Sequence, residues 1–322
     1  MKRAYFAFAW ILGVFAFQNA SAQTYPNQSV RIVVPFATGG AVDSVARIVG
    51  QKMSESFGQP VVIENKAGAG GNLAAETVAR AAPDGYTILL TTNGHAISPS
   101  LYRMLPFDVM KDFIPVMQLI ESPLLLVASN KLPVNSLKEL VALAKQKPGG
   151  LNYGSTGVGN PLHLSMEMLK NATGMNISAV PYRGDAPLNT ALVAGEVDVA
   201  IVPVATGRAN VENKLVNGLG VTSARRSKAM PELPTLAEQG VAGFDTGSWQ
   251  GFFVPANTPP DVVQRIYQET KKALDAPDVR ERLKAFVAEP VASTPEVFAR
   301  KFKDDVANYA KIVKSANIPM QN

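Results

Sequence analysis

Tyr153-Gly154-Ser155-Thr156-Gly157-Val158-Gly159-Asn160-Pro161-Leu162-His163 runs from a strand-like start through small residues into an apolar helix opened by proline. Chains turn this way to hold an anion. Ser155 and Thr156 offer hydroxyls, Gly157 and Gly159 let backbone N–H groups approach a ligand, and the helix adds the positive end of its dipole. Three other stretches repeat the device: Pro35-Phe36-Ala37-Thr38-Gly39-Gly40 before the helix holding Asp43, Ala67-Gly68-Ala69-Gly70-Gly71-Asn72 before the next helix, and Tyr182-Arg183-Gly184-Asp185-Ala186-Pro187 before a third. One glycine-rich stretch is usually a plain turn, since glycine is the default wherever φ is positive. Four of them in one chain predict a shared pocket.

Around these loops the pattern is α/β. Val30 to Val34 reads as a buried strand, followed by Val42, Val45, Val49 and Met53 at helical spacing. Val61 to Ile63, Leu73 to Ala82 and Thr87 to Thr92 continue the alternation, which predicts a parallel sheet with loops at the carboxyl ends of its strands, where ligands sit. Long strands are expected over Pro115 to Ser129, then a capping box at Ser136 and Glu139. A second α/β unit follows, with strands at Leu151 to Gly154, Ile177 to Tyr182, Val197 to Val202 and Leu219 to Ser223. Trp249 to Val254 brings the chain back, and helices from Pro260 and Pro295 cover the first unit, with Phe298, Phe302, Val306, Tyr309 and Val313 as a packing stripe. The expected division is 23–125 with 226–322 as one domain and 126–225 as the other, joined by a hinge.

The first 22 residues read as an export signal: Lys2 and Arg3, an apolar run from Ala4 to Phe17, and Ala20-Ser21-Ala22 as the cleavage site, so that the mature, periplasmic chain starts at Gln23. The apolar run is short for a bilayer span, which needs roughly 20 residues. The absence of cysteine excludes disulfides, thiolate metal sites and thiol nucleophiles. The precursor's net charge of +5 is mild and only Arg225-Arg226-Ser227-Lys228 is clustered, so the basic stripe of a nucleic-acid binder is missing.

Catalytic signatures are missing as well. The chain has two histidines, His95 and His163, and no G-x-S-x-G elbow, P-loop, H-E-x-x-H pair or EF-hand loop; Gly68-Ala69-Gly70-Gly71-Asn72-Leu73 fails the third glycine of the dinucleotide fingerprint. His163 fits a structural hydrogen-bonding role or a ligand contact, and His95, read as lying in a loop after a strand, fits a rim contact or solvent exposure. Asp43 falls in the first turn of its helix, where it serves the free N–H groups, the pocket, or both. Arg183 is the strong cation beside a glycine loop, suited to clamping a carboxylate or to pairing with Asp185 or Asp198. Phe36 and Tyr182 are candidates for a cleft wall, and Trp249 for hinge or core packing. Many neutral donors with few titratable groups suit binding without chemistry.

Several motifs carry a family likeness: Val34-Pro35-Phe36-x-x-Gly39-Gly40-x-x-Asp43-x-x-Ala46-Arg47, Asn65-x-x-Gly68-Ala69-Gly70-Gly71-Asn72, Pro83-Asp84-Gly85-Tyr86-Thr87, Tyr153-Gly154-Ser155-x-Gly157-x-Gly159-x-x-x-His163-Leu164 and Pro181-Tyr182-Arg183-Gly184-x-x-Pro187. Through them essentially the whole mature chain resembles the Bug family of extracytoplasmic solute receptors, the binding component of tripartite tricarboxylate transporters. The resemblance implies a type II periplasmic-binding-protein fold closing on an organic acid, no cofactor, a monomer, and delivery to a two-subunit membrane permease. Carried over residue by residue, it assigns ligand contacts to Phe36, Ala37, Thr38, Gly39 and Gly40 with Asp43 beside them, to Ala67, Gly68, Ala69, Gly70 and Gly71, to Ser155, Thr156, Gly157 and His163, and to Tyr182, Arg183 and Gly184. The chain departs from the family pattern at Ala74, where a second glycine is common. It also lacks an acid shortly after Val197-Asp198, which disfavours an amino-acid ligand because an ammonium group wants a carboxylate partner. A di- or aromatic carboxylate without an amine is expected, with a sensor of the same acid or a secreted serine hydrolase as the alternatives.

Overall fold

Val30–Val34 (β1), the β-branched run after the chain's first turn, pairs in parallel with Val61–Asn65 (β2) on one side and Thr87–Thr92 (β3) on the other. The computed structural model describes residues 25–36, 38–155, 160–182, 185–284, 287–315 and 317–321. The expected export signal, Ala37, Thr156, Gly157, Arg183 and Gly184 lie outside the described residues. Helices Ala41–Phe57 (α1), Asn72–Ala79 (α2) and Gly94–Leu101 (α3) follow the three strands in turn. α1 stops at Gly58, whose positive φ of 65° lets its N–H turn back to Ser54.

The chain leaves this layer on one uninterrupted strand, Phe113–Ser129 (β4). After Leu137–Gln146 (α4) come Asn152–Ser155 (β5), Pro161–Thr173 (α5), Ser178–Pro181 (β6), Asp185–Ala194 (α6), Val199–Pro203 (β7), Val204–Glu212 (α7) and Val216–Val221 (β8). Gly247–Pro255 (β9) returns to the first layer, followed by Pro260–Asp275 (α8), Pro277–Lys284 (α9), the two-residue strand Glu289–Pro290 (β10) and Pro295–Ser315 (α10).

The strands form a curled sheet in the order β2-β1-β3-β9-β4-β7-β5-β6, with β8 and β10 also on β4. Each end is parallel, as the alternation predicts, but the middle is antiparallel because β4 and β9 run between the two layers. β4 changes partners at Pro123: Phe113 to Pro123 pair with β9, and Leu124 to Ala128 with β7.

Alternate side chains of each strand enter opposite faces, and both faces are covered. In the first layer Ile88 and Leu90 pack with α1 and α8, whereas Leu89 faces α2 and the Phe298 and Phe302 stripe of α10. In the second, Leu124 and Leu126 meet α4 and α5, and Leu125 and Val127 meet α6. Leu236 and Phe244, beyond β8, belong to the second layer's core. A separate cluster joins the layers: Leu164 of α5, fully buried, packs with Ile97 and Leu101 of α3 and with Val313 and Ile318.

Candidate functional site

β1 and β2 are neighbours, so the loops leaving their carboxyl ends lie side by side. Asn65, the last residue of β2, ties them together. Its Nδ2 donates to the Phe36 carbonyl at 3.0 Å and to Asp43 Oδ1 at 2.9 Å, while its Oδ1 accepts from Thr38 Oγ1 at 3.1 Å. The Gly39 N–H donates to Asp43 Oδ2 at 2.9 Å, and Arg47 grips both oxygens of the same carboxylate at 3.0 Å. Burial works against the Asp43 charge, but the donors on Arg47, Gly39 and Asn65 outweigh it and hold the carboxyl at about 2. Asp43 thereby has one role resolved: it shapes the first loop and its oxygens are occupied.

Phe36 is 37% exposed, and Thr38, Gly39 and Gly40 are exposed at the mouth of the loop. In the second loop Ala67, Gly68, Ala69 and Gly70 are exposed and Gly71 is half-buried. Gly68, Ala69, Gly70 and Gly71 all have positive φ, from 47° to 140°, a run that only glycine, with one small exception here, adopts cheaply. Gly71 also lies so close to the first loop that a Cβ on it would stand 3.1 Å from the Pro35 Cβ.

The second pair of predicted loops sits at the carboxyl ends of β5 and β6, again neighbours. Ser155 is 4% exposed and its carbonyl accepts from the Tyr182 N–H at 2.7 Å, with Tyr182 half-buried beside it. Asn160 caps α5 by accepting from the His163 N–H at 2.9 Å, and Pro161 opens the helix as expected. The His163 ring stacks on Tyr153 at 6.1 Å, next to the Glu167 carboxylate that takes hydrogen bonds from Tyr153 and Lys170. Burial lowers the His163 pKa, opposed by the Glu167 charge and aided by that of Lys170.

Two residues lie elsewhere than expected or confirm a packing role. His95 is not in a rim loop but inside α3, 4% exposed and ringed by Phe107, Phe113, Phe253 and Phe302; burial pushes its pKa down to about 3. Trp249 is core, 2% exposed, with its Nε1–H on Asp305 at 2.8 Å. Asn65, quoted only as part of a motif, turns out to be the hub of the first two loops; its place in line with Val34 at the end of the neighbouring strand was the available signal. Among the described residues no group of histidines and carboxylates is arranged to hold a metal ion, and no helix is long and apolar enough to cross a membrane.

The chain's relatives fit this geometry. The model of the tripartite tricarboxylate transporter family receptor matches residues 45–318. A protein encoded in the tcbD-tcbE intergenic region of Pseudomonas sp. strain P51 is 40% identical over 290 residues, covering 90% of this chain and 86% of that one. Among solved structures, the periplasmic binding protein BugD is 35% identical with a TM-score of 0.75, and Rpa4515 of R. palustris, solved with adipate, is 36% identical with a TM-score of 0.78; each aligns over 92% of this chain and all of its own. These neighbours are binding proteins rather than enzymes, and the fold is theirs. The chain belongs to the tripartite tricarboxylate transporter family of receptors, the Bug-type periplasmic solute-binding proteins.

Proposed function

We propose that the protein is a periplasmic receptor that captures a small dicarboxylate lacking an amine and delivers it to a membrane permease of the tripartite tricarboxylate type. The observation that carries this reading is the state of Asp43: with both oxygens engaged by Gly39, Arg47 and Asn65, the first loop shows a ligand neutral donors and no free carboxylate. Such a loop accepts an anion and offers an ammonium group nothing. The adipate in Rpa4515 supports a diacid. Ser155, Thr156, Gly157 and His163 would approach the acid from the other side, with Tyr182, Arg183 and Gly184 closing over it.

The closing bodies in this reading are two lobes, 25–123 with 247–321 and 124–246. We draw the return crossing at 246/247, where the sequence pattern suggested 225/226; the packing of Leu236 and Phe244 in the second core supports the later position. The hinge is then the β4 segment around Pro123 together with the start of β9.

A thermal-shift screen of the mature chain against aliphatic, hydroxylated, amino and aromatic mono- and dicarboxylates tests the reading, since a ligand that binds only the folded state raises its melting temperature. Diacids are expected to shift it and amino acids are not. The same screen on Arg183→Ala should lose the diacid response and keep any monoacid response. A response confined to amino acids, or sustained turnover of an ester or amide panel, overturns the reading.

A further inference from the structure

The second glycine loop has a neighbour that sequence reasoning did not assign. α3 packs against it, and a spacing of four residues puts Ser98 and Tyr102 on the same face. Ser98 Oγ bonds Asn72 Oδ1 at 2.8 Å, where the loop passes into α2. One turn further on, the Tyr102 hydroxyl lies against Gly70, so close that a Cβ added to that glycine would collide with it. Gly70 is thus required twice, for its φ of 64° and for the space the phenol occupies.

Tyr102 is fixed from behind. The C-terminal segment pairs with it: the Gln321 N–H donates to the Leu101 carbonyl at 2.6 Å and the Arg103 N–H donates to the Gln321 carbonyl at 3.0 Å. Its ring packs against the cluster that contains Leu164, the residue after His163. The phenol therefore touches the Gly68–Gly71 loop at one end, while its ring packs against the cluster that includes Leu164 of α5.

Its hydroxyl makes no hydrogen bond among the described residues, and the buried Nδ2 of Asn72, two residues past Gly70, has no partner either. Buried polar groups are ordinarily satisfied, so the unpartnered Asn72 Nδ2 calls for an acceptor from outside the chain, and the hydroxyl of the half-buried Tyr102 against Gly70 is a second donor free to serve it. We propose that Tyr102 is a ligand-recognising residue whose hydroxyl donates a hydrogen bond to the carboxylate held at the Gly68–Gly71 loop, directly or through one water shared with Asn72. The assignment rests on the receptor reading above and adds to it a side-chain donor where the Gly68–Gly71 loop supplies backbone donors alone.

Calorimetric titration of the mature chain with succinate, glutarate and adipate tests this, in parallel with Tyr102→Phe and Ser155→Ala. Tyr102→Phe removes one oxygen and leaves the ring in place, so the melting temperature of the free protein should not change. Affinity for the tightest of the three acids should fall roughly 10- to 100-fold, as loss of a hydrogen bond to a charged group does. Unchanged affinity in Tyr102→Phe beside a loss in Ser155→Ala overturns the Tyr102 assignment alone. A lowered melting temperature with unchanged affinity does the same, by making the hydroxyl structural. Unchanged affinity in both variants, or no heat from any of the three acids with the native chain, overturns the receptor reading of these loops and the Tyr102 assignment with it.

Discussion

The Asn65 side chain donates to the Asp43 carboxylate at 2.9 Å, so the residue that ends β2 holds a residue in the first turn of α1. The consequence is a first loop whose shape depends on a side-chain network and not only on its glycines. Asp43→Asn keeps the volume and removes the charge that orders Gly39, Arg47 and Asn65. We expect a loss of about 1–3 kcal/mol in folding stability, the range for hydrogen bonds to a charged group. Weaker adipate binding should accompany it. Urea denaturation and calorimetry measure the two effects. Because the folded carboxyl titrates at about 2 against an ordinary 3.8, its stabilisation is complete above pH ~4 and is lost as the pH falls toward ~2. Asp43→Asn should lack that acid limb.

His95 predicts a second pH dependence of the same direction and a different origin. The folded imidazole titrates at about 3 against an ordinary 6.5, so below pH ~6.5 the unfolded chain takes up a proton that the folded chain refuses. Stability is full above that pH and falls by up to about 1.4 kcal/mol per pH unit down to about 3. His95→Phe, which suits a site walled by four phenylalanines and removes the unpartnered Nε2, should flatten the melting temperature between pH 6.5 and 4. An unaltered slope would assign the dependence to other groups.

Leu164 is the test of how the layers communicate. It is fully buried by α3 and the C-terminal segment although it belongs to α5, one residue past His163. Leu164→Ala should cost about 2–5 kcal/mol, as buried leucine truncations do. It should also weaken every acid by a similar factor, since it touches the seam and not the ligand. Calorimetry across the diacid series checks this; a change in the ranking of the acids would place Leu164 in the ligand's surroundings.

The sequence was most legible where local patterning decides the outcome. β3 lies at Thr87–Thr92, the expected bounds, and Ser136 accepts from the Glu139 N–H as the capping box requires. It was least legible where a helix carries residues that oppose helix formation. α3 contains Gly94 and Pro99, so His95 reads as a loop residue and the four-residue spacing of Ser98 and Tyr102 goes unnoticed. α7 contains Gly207, which lowers its propensity, yet a Cβ there would come within 2.7 Å of Val202 and 3.0 Å of Leu125, so close approach to the sheet demands glycine. Within the site, glycine runs announced the loops. The Asn65 hub did not, because it depends on contacts between residues 22 and 29 positions apart.

The place of β9 in the sheet bears on how the molecule is made. Leu89 pairs with Phe253 and Thr92 with Gln250, so β3 waits for a strand synthesised long after it. Residues 124–246 are contiguous and can condense while the C-terminal part is still emerging. The first sheet in that interval is three parallel strands with an apolar open edge, which is the arrangement most exposed to wrong pairing. Completion of the nascent protein is therefore a late event set by its last quarter, and truncations before Gly247 should yield a soluble second half attached to an unfinished, aggregation-prone first.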